Sequence, residues 1–334
     1  MSKGLILVVG GAGYIGSHVN KLLNKVGYET VVYDNLSRGN KKAVVKGELV
    51  VGDIGDQAAL KALFKKYKFD AVMHFAALID VGESMEHPLK YYRQNVGYTI
   101  NLIEAILASR TIPLIFSSSS AVYGLPQAPS ITEEHPLAPI NPYGTTKKMI
   151  EEIIADCNMA HNLPHVCLRY FNAAGADPEG EIKDFKMEES NLIPIVLKTV
   201  QQKNPHAVIF GGDYDTRDGT CVRDYIHVND LADAHIRAME HLLKGGKSDT
   251  FNLGNGNGYT VREVVDAIKK VTGVTLDVKV GPRRAGDAPS LISNCQKAKK
   301  HLGWTPKFPA LETMITDACK YMNIEVLNIN YAGR

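Results

Sequence analysis

The first half of the chain alternates short, unbroken apolar runs with longer stretches in which apolar residues recur every three or four positions. "LILVV" (5–9), "ETVVYD" (29–34), "ELVVGD" (48–53), "DAVMHFAA" (70–77), "IPLIFSSSS" (112–120) and "HVCLRYF" (165–171) are runs of the first kind. Continuous Val, Ile and Leu describe strands buried on both faces, as in a parallel sheet covered by helices. Helical spacing follows the first run through "SHVNKLLNKVG", where Gly27 closes the helix, and returns around 57–67, 88–110 and 143–160, while 35–47 reads as mostly loop. Strands alternating with helices predict an α/β fold built on a doubly wound parallel sheet.

After about residue 175 the pattern loosens. "GADPEGEIKDFKMEES" (175–190) is a long polar loop, and helical spacing reappears near 191–202, 229–244, 260–272 and 309–322 with short strands between. The expectation is a first domain over 1–174 and a smaller C-terminal α/β substrate-binding domain over 175–334, some of whose segments return to the first sheet. A chain of 334 residues, 45% of them hydrophobic, is long enough for two packed cores.

Composition narrows the partners. Lys plus Arg number 38 against 36 Asp plus Glu, a formal charge of +2 with no basic arm, so nucleic acid is not expected. Five cysteines, at 157, 167, 221, 295 and 319, are odd in number and never form CxxC, which predicts free thiols in a reducing compartment. The apolar stretch in "MSKGLILVVGG" is too short for a signal peptide, and no run approaches a membrane span. A cytoplasmic location with no membrane partner is therefore expected. His161 and His165 have a metal-like spacing, but Pro164 intervenes and no third ligand is evident, so they read as surface histidines and no metal is expected.

"VVGGAGYIGSH" follows the first strand and opens the first helix. It contains Gly11-x-Gly13-x-x-Gly16 and also Gly10-x-x-Gly13-x-x-Gly16. Glycines there permit a tight turn, close backbone approach to a pyrophosphate, and close helix–strand packing, with the helix N-terminus facing the phosphate charge. Asp34 ends the second strand eighteen residues past Gly16, where a carboxylate accepts hydrogen bonds from ribose hydroxyls and repels a 2′-phosphate. This favours NAD over NADP, although Arg38 lies four residues on. Asp53, ending the third strand, is placed equally well to bond an adenine amino group or to serve as a simple loop acid.

"NPYGTTKKMIEEI" (141–153) puts Tyr143 one helical turn ahead of Lys147, just past a proline that marks a helix start. A phenol titrates near ~10 and is a poor base at neutrality. A cation one turn away, with a positively charged nicotinamide, favours phenolate. Such a pair, with a serine hydroxyl to orient an alcohol, removes an alcohol proton while hydride leaves the same carbon. The serine run 117–120 supplies the hydroxyl at the end of the preceding strand.

The Ser-Tyr-x-x-x-Lys set with the glycine fingerprint resembles the extended branch of the short-chain dehydrogenase/reductase superfamily, whose first domain is a Rossmann fold. Within it, "VYDNLSRG", "HFAALIDVGES", "SSSSAVYG", "NPYGTTK", "RYFNAAGA", "GTCVRDYIHVNDLADAH", "FNLGNGNGYTVREV", "RRAGDAP" and "GWTPK" are similar to blocks of the UDP-galactose 4-epimerase family, over nearly the whole chain. The resemblance implies an NAD-dependent isomerase that inverts C4 of a UDP-hexose through a 4-keto intermediate, with Ser119, Tyr143 and Lys147 as its catalytic set; Ser118 and Ser120 remain spares. For NAD it implies Gly10, Gly13, Tyr14, Ile15 and Gly16, then Asp34, Asn35, Leu36, Ser37 and Gly39. Further along it implies Asp53, Ile54, Phe75, Ala76, Ala77, Asn95 and Phe171, besides Tyr143 and Lys147.

For the UDP-sugar the resemblance implies Ser119, Tyr143, Asn172, Asn191, Leu192, Val208 and Phe210. Arg223 and Arg284 match its diphosphate ligands and Asp287 its ribose ligand. Two departures stand out. Many members carry a lysine after "HFAAL", where this chain has Ile79, followed by Asp80. The gate beside the sugar 2-position, often tyrosine, falls on Leu291, whose smaller side chain leaves room for an N-acetyl group, so UDP-GlcNAc/UDP-GalNAc is a further substrate expectation. The helices around 88–110 and 143–160 resemble those that pair as a four-helix bundle in a homodimer. Competing readings are a 4,6-dehydratase or decarboxylase of the same branch and a non-catalytic NAD-binding module. The dehydratase needs an Asp-Glu pair where Ser120 and Ala121 stand, and an intact Ser119, Tyr143 and Lys147 speaks against the module.

Overall fold

The structure is a computed structural model and describes residues 2–183, 191–284 and 287–327. Residues 184–190 of the polar loop and 285–286 of "RRAGDAP" lie outside the described residues. Six strands arise where the apolar runs predicted them: β1 (Leu5–Val9), β2 (Glu29–Asp34), β3 (Glu48–Val51), β4 (Ala71–His74), β5 (Leu114–Ser117) and β6 (His165–Tyr170). A seventh, Asp249–Leu253, returns from the second half and pairs in parallel with β6. The sheet order is Asp249–Leu253, β6, β5, β4, β1, β2, β3, with every neighbouring pair parallel.

Alternate residues of these strands enter two cores. Ile6 and Val8 of β1 join Val32, Met73, Ile115 and Val166 on one face, beneath the helix α1 (Tyr14–Lys25) and the Val228–Leu243 helix. Leu7 and Val9 join Val31, Val72, Leu114 and Phe116 on the other, beneath the helices Gln57–Lys66, Tyr98–Ser109 and Pro142–His161. A third core lies in the second half, where Val196, Val264, Ile268, Met314 and Ile315 meet. The Val228–Leu243 helix and the Asp249–Leu253 strand thus complete the first sheet although they follow the predicted boundary.

Three expectations need correction. The segment 88–110 is not one regular helix: Pro88–Tyr91 passes through a π-helical stretch, Tyr92–Gly97, into Tyr98–Ser109. The serine run does not extend β5, since only Ser117 belongs to the strand and Ser120–Val122 forms a 3-10 turn. His165 is not at the surface; it opens β6 and is buried, while His161 is exposed at the end of its helix. Two helices, Val81–Glu86 and Gln296–Leu302, were not foreseen.

Candidate active site

Because the sheet is parallel, the carboxyl ends of β1, β2, β4, β5 and β6 open on one edge. The chain leaves β1 for β2 and β3 on one side and resumes at β4 on the other, which makes the gap between β1 and β4 the switch point where ligands bind in such sheets. The glycine loop lies there. Gly10 has φ +77°, and a Cβ on it would lie 2.5 Å from the Ala76 nitrogen. A Cβ on Gly16 would lie 2.3 Å from the Gly10 carbonyl oxygen, so both positions exclude side chains for packing reasons. Gly13 differs. It caps α1, and a Cβ there would meet nothing nearer than Gly10 O at 3.5 Å. Open space before the first turn of a helix suits a pyrophosphate, held by free N–H groups and the helix dipole.

Asp34 is buried at the end of β2, accepting from the nitrogens of Ala12 at 3.0 Å and Leu36 at 2.8 Å. Burial raises its pKa while these two bonds oppose the rise. The bond to Leu36 holds that residue at φ 58°, a conformation uncommon outside glycine, which turns the chain sharply after the strand. Asn35 and Ser37 project to solvent there, and Gly39 packs tightly on Ala12. Asp53 accepts from Asn35 Nδ2 and from the Gly55 nitrogen, both at 2.7 Å, while Ile54 is core. Beyond β4, Phe75, Ala76 and Ala77 are half-buried. Asn95, on the π-helical stretch, is completely buried, its amide committed to both backbone groups of Leu78 and to Thr146. Tyr14 donates its hydroxyl to Gly175 O at 2.6 Å, tying α1 to the start of the second half, and Ile15 is half-buried beside it.

The Pro142–His161 helix begins with proline in its first turn and Asn141 as N-cap, accepting from the Gly144 nitrogen at 2.8 Å. Tyr143 and Lys147 are both buried, 8% and 3% exposed, which is unusual for a lysine without a carboxylate in contact. Lys147 Nζ instead donates to Ser117 O at 2.8 Å and stands 4.8 Å from the Phe116 ring and 6.0 Å from the Tyr143 ring. Burial pulls this ammonium down to about 7, with Glu151 opposing the change. Burial thus works against the charge on which the phenolate depends, and Glu151 works for it.

A Cβ on Gly144 would lie 2.5 Å from Ala121 O, so the glycine after the tyrosine lets the helix seat directly on the serine turn. The four serines separate in this frame. Ser117 gives its carbonyl to Lys147; Ser118 is fully buried and donates to Glu151 at 2.5 Å, which removes it as a substrate-facing candidate. Ser119 is half-buried, extended, and accepts from the Ala121 nitrogen at 3.2 Å. Ser120 is also half-buried and opens the turn.

The proposed substrate side comes from the second half. Arg223 lies in register with Leu291 on a neighbouring parallel strand. Its guanidinium donates to the carbonyls of Val222 and Ala288 at 2.9 and 2.8 Å and pairs with Asp287 at 3.2 Å. Arg284 stacks on the Phe210 ring at 3.8 Å, and Val208 lies on the same strand with its side chain exposed. Phe171 follows β6 and packs with Val122 and Tyr123; Leu291 packs against this group. Asn172 donates to Asp224 O at 2.8 Å, and Asn191 and Leu192 open the Leu192–Val200 helix.

Sequence reading missed Glu151, Arg169 and Asp224. Asp224 is buried and accepts from the nitrogens of Asn255, Gly256 and Ser293, fixing the chain beside Arg223. The spacing of Glu151, four residues after Lys147, was a visible signal for a shared helix face. Among the described residues no group of three His, Cys, Asp or Glu could hold a metal ion, and no helix is long and apolar enough to cross a membrane. The five cysteines are free.

The pattern of the NAD dependent epimerase/dehydratase family matches residues 6–254. A UDP-glucose 4-epimerase of Halalkalibacterium halodurans is 48% identical over 94% of this chain and 94% of its own. The crystal structure of UDP-glucose 4-epimerase from Brucella ovis in complex with NAD superimposes with TM-score 0.94 at 47% identity, covering 97% of this chain and all of that one. The UDP-Glc/GlcNAc 4-epimerase of Campylobacter jejuni follows at TM-score 0.86 and 44% identity, over 96% of this chain and 99% of its own.

Proposed function

The chain belongs to the NAD dependent epimerase/dehydratase family, and from that premise we propose that it is an NAD-dependent isomerase inverting C4 of UDP-glucose and UDP-galactose. The observation that carries the reading is the buried Tyr143 and Lys147 on the first turns of a helix seated on the Ser119 turn, at the sheet edge that carries the glycine loop. The residues fit NAD: Gly13 leaves the helix N-terminus open for a pyrophosphate, and the Asp34 carboxylate ends β2 where a ribose would lie. When bound, NAD supplies the hydride acceptor and donor at C4. Tyr143 takes the proton of the C4 hydroxyl, giving a 4-keto sugar, and returns it after the sugar has turned. Ser119 orients the C4 oxygen, and Lys147, when charged, favours the phenolate.

Inversion demands that the sugar present both faces to one fixed site, so the nucleotide must be anchored away from C4. Arg223, braced by two carbonyls and Asp287, and Arg284, braced on Phe210, are suited to hold the diphosphate. Asn172, Asn191, Leu192 and Val208 line the remaining nucleotide-sugar contacts in this reading. Leu291, packed beside Phe171, leaves room at C2, so N-acetylhexosamines are accepted as well. Ser120–Ala121 offers no Asp-Glu pair for a dehydratase's second step.

Free cysteines accord with a reducing cytoplasm. A homodimer through the Tyr98–Ser109 and Pro142–His161 helices is supported by the exposed Ile100 and Met159 on them; sedimentation as a 36.6 kDa species would exclude it. The enzyme test is incubation with UDP-galactose and no added reductant: UDP-glucose forms to equilibrium, and the Tyr143→Phe variant loses about 10²–10⁴-fold in kcat while keeping UDP-sugar affinity. Full activity in that variant would refute the assignment.

A further inference from the structure

Behind the tyrosine–lysine pair lies a buried ionic group that the chemistry above does not use. Glu151 and Arg169 are 7% and 6% exposed. Arg169 binds the carboxylate through two nitrogens, Nε at 3.0 and 3.1 Å from its oxygens and a terminal nitrogen at 2.5 Å. Ser118 donates to the same carboxylate at 2.5 Å. A buried pair of this kind is weak evidence of stabilisation, because desolvation offsets its attraction. Its location is more informative: Glu151 is one turn beyond Lys147 on the same helix, and Ser118 lies between the serine that holds Lys147 and the serine proposed to touch substrate.

The surroundings are electrically quiet. His74 on β4 is fully buried and held neutral, down to about 3, by burial and by Lys147. On β6, burial depresses His165 and pushes the Cys167 thiol well up, so both are uncharged at neutral pH. Tyr123, which accepts from Arg169 at 2.9 Å, is pushed up to about 12 by burial. Tyr143 lies on the same helix, and Glu133 lies beyond Arg169, with its carboxylate on the Asn252 nitrogen and its carbonyl near Arg169. Glu151 is the charge that acts on the lysine, and Arg169 is bound in turn to Glu151.

We propose that Glu151, with Arg169 as counter-charge and Ser118 as its link to the serine turn, is a positioning group that sets the charge carried by Lys147. The proposal rests on reading Lys147 as the cationic partner of Tyr143. Glu151 favours the ammonium that burial disfavours, and Arg169 binds the same carboxylate through two nitrogens. Glu151→Gln leaves a guanidinium that cannot discharge, so it both removes an attraction and exposes a repulsion.

The test is the pH profile of kcat for the NAD-bound enzyme on UDP-galactose. In Glu151→Gln the alkaline limb moves to lower pH by about one unit, with kcat on the acid side largely preserved. The paired variant Glu151→Leu/Arg169→Met removes both charges while keeping volume, and shifts the limb in the same direction by less. It carries the test if the single variant fails to fold, as judged by far-ultraviolet circular dichroism and NAD retention. A limb that stays in place while kcat falls equally at every pH marks a merely structural pair and overturns the proposal. Lys147→Met separates the two layers: if it leaves kcat and its pH profile intact, the reading of the lysine itself fails.

Discussion

Gly13 and Gly16 lie three residues apart in one loop, yet the structure assigns them different work, and alanine at each position separates the two. At Gly16 the new methyl would sit 2.3 Å from Gly10 O and 2.8 Å from Gly11 Cα, both rigid backbone. Relief requires α1 to move by about an ångström, an overpacking cost of about 1–3 kcal/mol. For a chain of this size that lowers Tm by several degrees. At Gly13 the methyl meets only Gly10 O at 3.5 Å, an ordinary contact, and φ is −83°, so the backbone is unstrained. The loss there is at most about 1 kcal/mol as a helix cap. The methyl does fill the space before the helix where a pyrophosphate would lie. Displacing one charge-assisted bond to a backbone N–H costs about 1.5–3 kcal/mol, which weakens NAD about 10- to 150-fold. Calorimetric NAD titration and thermal unfolding of NAD-free protein read the two effects. Gly13→Ala should lose affinity with little change in Tm, and Gly16→Ala should lose both. Undiminished NAD binding by Gly13→Ala, or a larger Tm loss there than at Gly16, would refute the argument.

Other outcomes follow from the same geometry. Leu291→Tyr fills the space beside Phe171, and should lower turnover of UDP-GlcNAc at least tenfold relative to UDP-galactose; unchanged selectivity would remove Leu291 as the gate. His18, His74 and His235 are buried and held neutral, down to about 4, 3 and 4, chiefly by desolvation. Their folded pKa values lie below the unfolded value near 6.5, so the stability they contribute is full above about pH 6.5 and is lost as pH falls toward 4. Three such groups steepen the loss to about 4 kcal/mol per pH unit, enough to cancel a typical stability of ~5–15 kcal/mol near pH 4–5. Circular dichroism should show a cooperative acid transition there, and a fold intact at pH 3.5 would contradict it.

Much of this was legible because the first sheet is local in sequence. Each of β1 to β6 is built on an apolar run, the glycines follow β1 immediately and Asp34 ends β2, so pattern and chemistry coincide. What escaped depends on distant partners. Asp249–Leu253 has an ordinary mixed composition and becomes a sheet strand only because β6 offers it an edge. His165 reads as polar, but it opens a buried strand, its backbone nitrogen donating to the Ser248 hydroxyl and its ring within hydrogen-bond reach of Leu163 O. The π-helical stretch leaves no mark in the 88–110 periodicity, though it carries the buried Asn95. The serine run shows why spacing could not choose among four identical residues: Ser117 ends a strand and Ser118 joins a buried ion pair, while Ser119 and Ser120 share the 3-10 turn.

The claim on which the account turns is that one carbon loses and regains the same hydrogen while Tyr143 handles only the hydroxyl proton. UDP-glucose carrying deuterium at C4, converted by the enzyme in ordinary water and analysed by mass spectrometry, tests it directly. The account predicts UDP-galactose that retains the deuterium at C4. Product in which that deuterium has been replaced by solvent hydrogen would mean that the carbon is deprotonated instead, and would contradict it.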